Sequence, residues 1–214
     1  MESMKVTKLE HATLVLEKDG KTLILDPGLY TRPMDGYRDV VGIVITHNHD
    51  DHVHEEQIDR ILKDNPNAII LGTQEVAARL APRKTMAVHH GDFHELGPFT
   101  AEFFGSMHIE IHRSIPLIQN CGVFINDSLF YPGDNYVTPD RKVQYLACPA
   151  SAPWLKIGDV MDYIATVKPE HCFPTHNIHL SDQGNQLNNG RIKGAVEENG
   201  GVFEYHLPGD SFTF

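Results

Sequence analysis

The sequence predicts an α/β protein in which two mixed β-sheets are covered by helices. Three observations point there. β-rich and mixed stretches alternate along the chain: β-rich, mixed, β-rich, mixed. Val40 to Thr46 (Val-Val-Gly-Ile-Val-Ile-Thr) is a continuous β-branched run, the mark of a strand buried on both faces. Between such strands, Ile58, Ile61 and Leu62 recur at the i, i+3, i+4 spacing of a helix face. The chain has 214 residues and no linker, charge block, low-complexity tract or repeat, so a single domain over 1–214 is expected.

Each element follows from local pattern. Val6–Leu9 and Thr13–Glu17 are short β-rich runs, and Lys18-Asp19-Gly20-Lys21 is a hairpin turn returning as Thr22–Leu25. Asp26-Pro27-Gly28 ends that strand. After Val40–Thr46, the stretch Val53–Lys63 is helical. Ala68–Leu71 reads as a strand and Thr73–Leu80 as a helix capped by Thr73. Met86–Val88 and Thr100–Phe104 read as strands, and Gly122–Asn126 with Leu129–Tyr131 as a hairpin around Asp127-Ser128. Gln144–Cys148 is a buried strand, Ile157–Val167 a helix, and Cys172-Phe173 closes a short strand before Pro174. Gln183–Glu197 is a polar, partly helical segment and Val202–His206 the last strand.

Composition narrows the function classes. Hydrophobic residues at 41% place the chain among ordered globular proteins. A net charge of -11 repels phosphate backbones and anionic membranes, so a small-molecule substrate is the expected partner, with no nucleic acid and no membrane. The three cysteines, Cys121, Cys148 and Cys172, are odd in number, form no Cys-x-x-Cys pair and sit beside apolar or proline residues. They read as buried free thiols of a reducing compartment. The stretch Met-Glu-Ser-Met-Lys-Val-Thr-Lys lacks the apolar core of a signal peptide. No apolar run approaches the roughly 18 residues of a membrane span. A cytoplasmic protein is expected.

The chain carries 14 histidines, the usual metal ligand and neutral-pH proton carrier, and position decides between those roles. Residues 45–53 read Ile-Thr-His-Asn-His-Asp-Asp-His-Val. Four potential ligands, His47, His49, Asp51 and His52, fall within six residues directly after the buried strand. Strand ends in an α/β sheet are where sites form. His47 and His49, two apart in extended chain, point the same way, while Asp51 and His52 follow as the chain turns into the helix and face a second point. That spacing suits two metals side by side. A solvated loop is the rival reading, but three protonated histidines there would repel one another unless a cation organised them. Asn48 and Asp50 read as loop polars.

The string His47-Asn48-His49-Asp50-Asp51-His52 resembles the His-x-His-x-Asp-His signature of the metallo-β-lactamase superfamily, and further motifs of that family follow in order. Asp26 in Leu25-Asp26-Pro27-Gly28 matches the family's early aspartate, a supporting rather than ligating residue. His108 in Gly105-Ser-Met-His, Asp134 in Tyr131-Pro-Gly-Asp and His176 in Phe173-Pro-Thr-His match the later ligands, with His112 competing with His108. The resemblance covers the chain from about His11 to the C-terminus. It implies a four-layer αββα sandwich with a dinuclear site between the sheets: His47, His49 and His108 on one metal, Asp51, His52 and His176 on the other, Asp134 bridging. Classical lactamases have a cysteine where Asp134 stands, so the aspartate is similar to the lactonase, glyoxalase and phosphodiesterase branches instead. Glu10-His11-Ala12, Ile24-Leu25-Asp26-Pro27-Gly28 and Ala152-Pro153-Trp154-Leu155-Lys156 resemble the ascorbate-6-phosphate lactonase-like and N-acyl-phosphatidylethanolamine phospholipase-like groups.

A metal-dependent hydrolase is therefore expected. Two divalent cations ~3.5–4 Å apart share a water, lower its pKa from ~15.7 toward 7, and present the resulting hydroxide to a small ester, lactone or phosphodiester. Asp51 is both ligand and orienter of that hydroxide, and Asp26 supports ligand geometry from behind. Zinc is the expected metal, with manganese or iron also compatible. His11 is balanced between lining the pocket and packing. His179 reads as a loop polar, and His54, His89, His90, His94, His171 and His206 as surface or packing residues. Trp154 reads as a packing anchor before a substrate platform, and Arg113 and Lys156 as solvated cations before anion-recognition groups. Substrate choice is expected to rest on loops such as Thr31–Val40 and Tyr136–Val143. Two rivals stand beside this reading: a non-catalytic metal-binding member of the fold, and an RNA-processing nuclease, which the acidic charge opposes.

Overall fold

Two seven-stranded sheets form the centre of the computed structural model, which describes residues 3–214. The first two residues of the N-terminal stretch lie outside it. The first sheet contains β1 (Lys5–Lys8), β2 (Leu14–Lys18), β3 (Lys21–Leu25), β4 (Val40–Ile45), β5 (Ile69–Gly72) and β6 (Thr85–Ala87) in that spatial order, with β14 (Ser211–Thr213) outside β1. The second runs β7 (Phe93–Leu96), β8 (Phe99–Phe104), β9 (Gly122–Ile125), β10 (Leu129–Tyr131), β11 (Tyr145–Pro149), β12 (His171–Thr175) and β13 (Val202–Phe203). Both are mixed. β3 to β6 and β10 to β13 pair in parallel, the remaining neighbours antiparallel.

The layers follow from strand alternation. In β3, Leu23 and Leu25 face the other sheet while Ile24 faces outward; in β4, Val44 faces inward while Ile43 and Ile45 face outward. Successive side chains point to opposite faces, so a strand covered on both sides must be apolar throughout, as the run from Val40 is. The inward residues meet Phe99, Phe103, Val123 and Phe173 of the second sheet. Outward, Ile43 and Ile45 pack against Ile58 and Ile61 of α1 (Glu55–Asp64) and Val76 and Leu80 of α2 (Gln74–Leu80). The second sheet's outer face, with Phe124, Phe130 and Leu146, packs on α3 (Ile157–Val167) and α4 (Asp182–Glu198). The result is a helix–sheet–sheet–helix sandwich. Thr73 caps α2 by accepting Val76 N–H, and Ser181 caps α4 through Gly184 N–H.

Element positions agree with the pattern to within one or two residues, with three differences. β7 and β14 carry no advance signal: β7 has one buried residue in four and β14 none. The last strand stops at Phe203 rather than His206. β12 continues through Pro174. The missing N–H is harmless because Cys172 C=O already points to the β13 side, where it accepts Glu204 N–H, and β13 pairs no further than Cys172. Among the described residues no helix is long and apolar enough to cross a membrane.

Candidate metal centre

Chain order brings the polar residues to one rim. Asp26 follows β3, His47 to His52 follow β4, His108 follows β8, Asp134 follows β10 and His176 follows β12. The turn between β1 and β2 adds His11. These side chains gather into two groups, His47, His49, His108 and Asp134, and His11, Asp51, His52 and His176; within each, the potential ligand atoms lie within 4.8 Å of one another. Asp134 stands between them. Its Oδ2 is 3.3 Å from His108 Nε2 and 3.2 Å from His176 Nε2, and its Oδ1 is 3.3 Å from His52 Nε2.

The rings are aimed from behind. His52 Nδ1 is 2.7 Å from Asp26 Oδ2, which also accepts the Thr46 hydroxyl at 2.7 Å, and that hydroxyl is 3.0 Å from His47 Nδ1. His108 Nδ1 meets the Ile109 carbonyl and His176 Nδ1 the Ser151 carbonyl. With an acceptor at Nδ1, each of these four rings keeps a hydrogen there and turns Nε2 to the centre, where its lone pair can meet either metal or a second proton. His49, with Nδ1 3.1 Å from His47 Nε2, presents its other nitrogen.

Backbone geometry holds the loops together. Gly28 passes so close to the Asp51 carbonyl that a Cβ there would sit 1.8 Å from the oxygen. Gly133, at φ +63, would put a Cβ 2.5 Å from Asn120 Oδ1. Asn120 accepts Asp134 N–H at 3.1 Å and donates to the Pro132 carbonyl, fixing the turn that presents Asp134. Three non-glycine residues of the rim, His11 (φ 57), Asp26 (φ 44) and His176 (φ 55), occupy the left-handed region, a cost that tightly constrained sites bear.

The donor set fits divalent metal. Among the described residues, His52 Nε2, His176 Nε2 and Asp134 Oδ1 are buried without a hydrogen-bond partner. Buried polar atoms left unpaired cost free energy that a cation among them would recover. Each group combines three imidazoles and one carboxylate, which suits zinc, manganese or iron. The charges agree. Burial opposes charge on His52 and His176, yet Asp134 together with Asp26 holds the first well above the ordinary histidine range, and Asp134 with Asp51 raises the second to about 9. Asp51 and Asp134, though buried, are held well below the carboxylate range by the surrounding imidazoles. Burial and the neighbouring imidazoles push His47 and His49 down. The carboxylates thus demand positive charge at the centre, from protons or from metal.

All seven ligand candidates, His47, His49, Asp51, His52, His108, Asp134 and His176, meet at this rim. His112 does not: it is exposed and bonded to Ser114. Arg113 and Lys156 are also exposed, Lys156 lying 3.7 Å from Asp159. Trp154 is more than a packing anchor, since its indole N–H donates to Asp134 Oδ2 at 2.9 Å. His11 is buried in the second group with Nε2 3.0 Å from Asp51 Oδ2. Neither contact could be read from spacing, because Trp154 lies 20 residues from its partner and His11 lies 40.

Residues 5–176 match the family model of the beta-lactamase superfamily domain. The chain is 34% identical to protein Rv0786c of Mycobacterium tuberculosis over 88% of this chain and 91% of that one. It is 25% identical to a UPF0173 metal-dependent hydrolase of Carboxydothermus hydrogenoformans over 90% and 95%. In fold it is similar to the metallo-beta-lactamase fold protein YhfI from Bacillus subtilis, with a TM-score of 0.74, 14% identity and coverage of 99% and 100%.

Proposed function

The chain belongs to the beta-lactamase superfamily domain family, and on that premise we propose that it is a metal-dependent hydrolase working with two divalent metals on a small ester, lactone or phosphodiester. His47, His49 and His108 would hold one metal, Asp51, His52 and His176 the other, with Asp134 shared between them. The observation that carries this is Asp134, whose two oxygens reach both groups while, among the described residues, Oδ1 and the facing His52 Nε2 lack any hydrogen-bond partner. Zinc is the metal favoured by mixed imidazole and carboxylate donors, with manganese or iron compatible. When bound, such a pair supplies hydroxide at neutral pH and neutralises the charge that develops on a carbonyl or phosphoryl oxygen.

The chain's own residues supply order. Asp26 aims His52 directly and His47 through the Thr46 hydroxyl. Trp154 holds Asp134 Oδ2 with its indole N–H. Asp51, with a side chain 21% exposed against 3% for Asp134, is the carboxylate at the open side of the cluster and would orient the attacking water. The acidic balance supports a small molecule over nucleic acid as substrate. Three free, buried thiols support a reducing, cytoplasmic setting.

His49→Ala tests the assignment. Metal-dependent turnover across a panel of esters, lactones and phosphodiesters is expected to fall at least ~100-fold, in line with the loss of a ligand group or its support. Full activity in the variant would overturn it. Silence of the panel with metal bound would favour a metal-binding role without turnover.

A further inference from the structure

His11 sits among the second group of metal-binding candidates, but its hydrogen bonds set it apart from the other histidines there. His47, His52, His108 and His176 each place Nδ1 against an acceptor: a hydroxyl, a carboxylate or a carbonyl. Each keeps a hydrogen on Nδ1 and turns Nε2 to the side where metal would bind. At His11 the polarity is reversed. Its Nδ1 faces a donor, the Ile178 backbone N–H, at 3.5 Å. A neutral ring accepting at Nδ1 carries its hydrogen on Nε2, and that atom is 3.0 Å from Asp51 Oδ2. The same residue also reaches across the sandwich. Its backbone carbonyl accepts His176 N–H at 2.9 Å, and its ring centroid lies 3.9 Å from that of His176. It is buried, and its left-handed φ of 57 brings carbonyl and ring to the same rim.

We propose that His11 is a positioning residue of the second metal site and not one of its ligands: it donates Nε2–H to Asp51 Oδ2 and clamps the Asp51 loop of the first sheet to the His176 loop of the second. This rests on reading the rim as a two-metal centre. A carboxylate held through one oxygen cannot rotate away, so the donor fixes the orientation that Asp51 presents to metal.

Glutamine and alanine at position 11 separate donor from ligand. A glutamine amide N–H can replace Nε2–H as donor but is a poor substitute for an imidazole on a transition metal. The probe is Zn²⁺ titrated against a chromophoric chelator into the full chain, with Co²⁺ absorption as a second readout. Wild type is expected to take two equivalents. His11→Gln should also take two, with the weaker dissociation constant within about threefold of wild type and an unchanged Co²⁺ spectrum. His11→Ala should weaken one equivalent ~10–100-fold while leaving the other unchanged. Equal loss of one equivalent in both variants, with an altered Co²⁺ spectrum, would make His11 a ligand and overturn the proposal; so would unchanged binding in the alanine variant. If alanine prevents folding, as seen in the melting curve of the metal-free variant, the glutamine variant decides alone: two tight equivalents uphold the proposal and one overturns it. Failure of the two-metal reading looks different, since wild type itself would then take up fewer than two equivalents.

Discussion

At the residue scale, His176 shows opposing forces at the centre of the site. Burial disfavours its charge, but the Asp134 and Asp51 carboxylates win and raise its pKa to about 9. In chelator-treated protein this imidazole keeps its proton at neutral pH. Its folded pKa lies above the ordinary 6.5, so the stabilisation is complete below pH 6.5 and lost as the pH rises through about 9. The melting temperature of the chelated protein is therefore expected to fall between pH 6.5 and 9, and that fall should vanish with metal bound, because coordination takes the Nε2 lone pair the proton occupied. A flat profile for the chelated protein would contradict this charge balance. The same scale shows where spacing runs out. The family resemblance favours His108 over His112 as ligand, but spacing leaves His112 in competition; in the structure His108 is buried in the cluster, its N–H paired with the Ile118 carbonyl, while His112 is exposed and bonded to Ser114.

At the element scale, strands covered on both faces and capped helices are legible because their signals are local. α3 spans Ile157–Val167, the stretch the apolar spacing marks, and Thr73 caps α2 where the helix was expected to begin. β14 escapes because Ser211-Phe-Thr213 is too short and too exposed for any pattern. Its contribution comes from partners far away in sequence. Phe212 stacks on His206 at 4.5 Å and on Tyr145 at 5.4 Å, with Phe173 at 5.2 Å, so an edge strand of one sheet covers aromatic residues of the other. Phe212→Ala is expected to cost about 2 kcal/mol, below the range for fully buried phenylalanines because the side chain is only half-buried. Urea denaturation would measure it, and an unchanged midpoint would show that β14 rests on the sandwich without stabilising it.

At the scale of the whole molecule, both sheets send residues to one centre: Asp26 and the His47–His52 loop from the first, His108, Asp134 and His176 from the second. Metal at that rim should hold the sandwich together and not merely occupy it. A ligand present at about 1,000 times its dissociation constant stabilises the folded state by ~4 kcal/mol. Zinc is thus expected to raise the melting temperature of the chelated protein by several degrees, and to do so much less in His176→Ala, where the second sheet loses a contact to the second group. An equal rise in both would show that the sheets are not coupled through the site. The sequence by itself determined the His47–His52 cluster and the double-covered strands, because each is written within a few neighbouring residues whose period and turn chemistry need no partner; the four-layer sandwich was implied by the motifs' resemblance to a known family. Only the tertiary structure decided that His11 and Trp154 stand against Asp51 and Asp134, which histidine of the 108–112 pair turns inward, and which ring nitrogen carries each hydrogen. Those outcomes depend on the register between sheets and on what lies behind each side chain, and neither quantity is encoded in spacing along the chain.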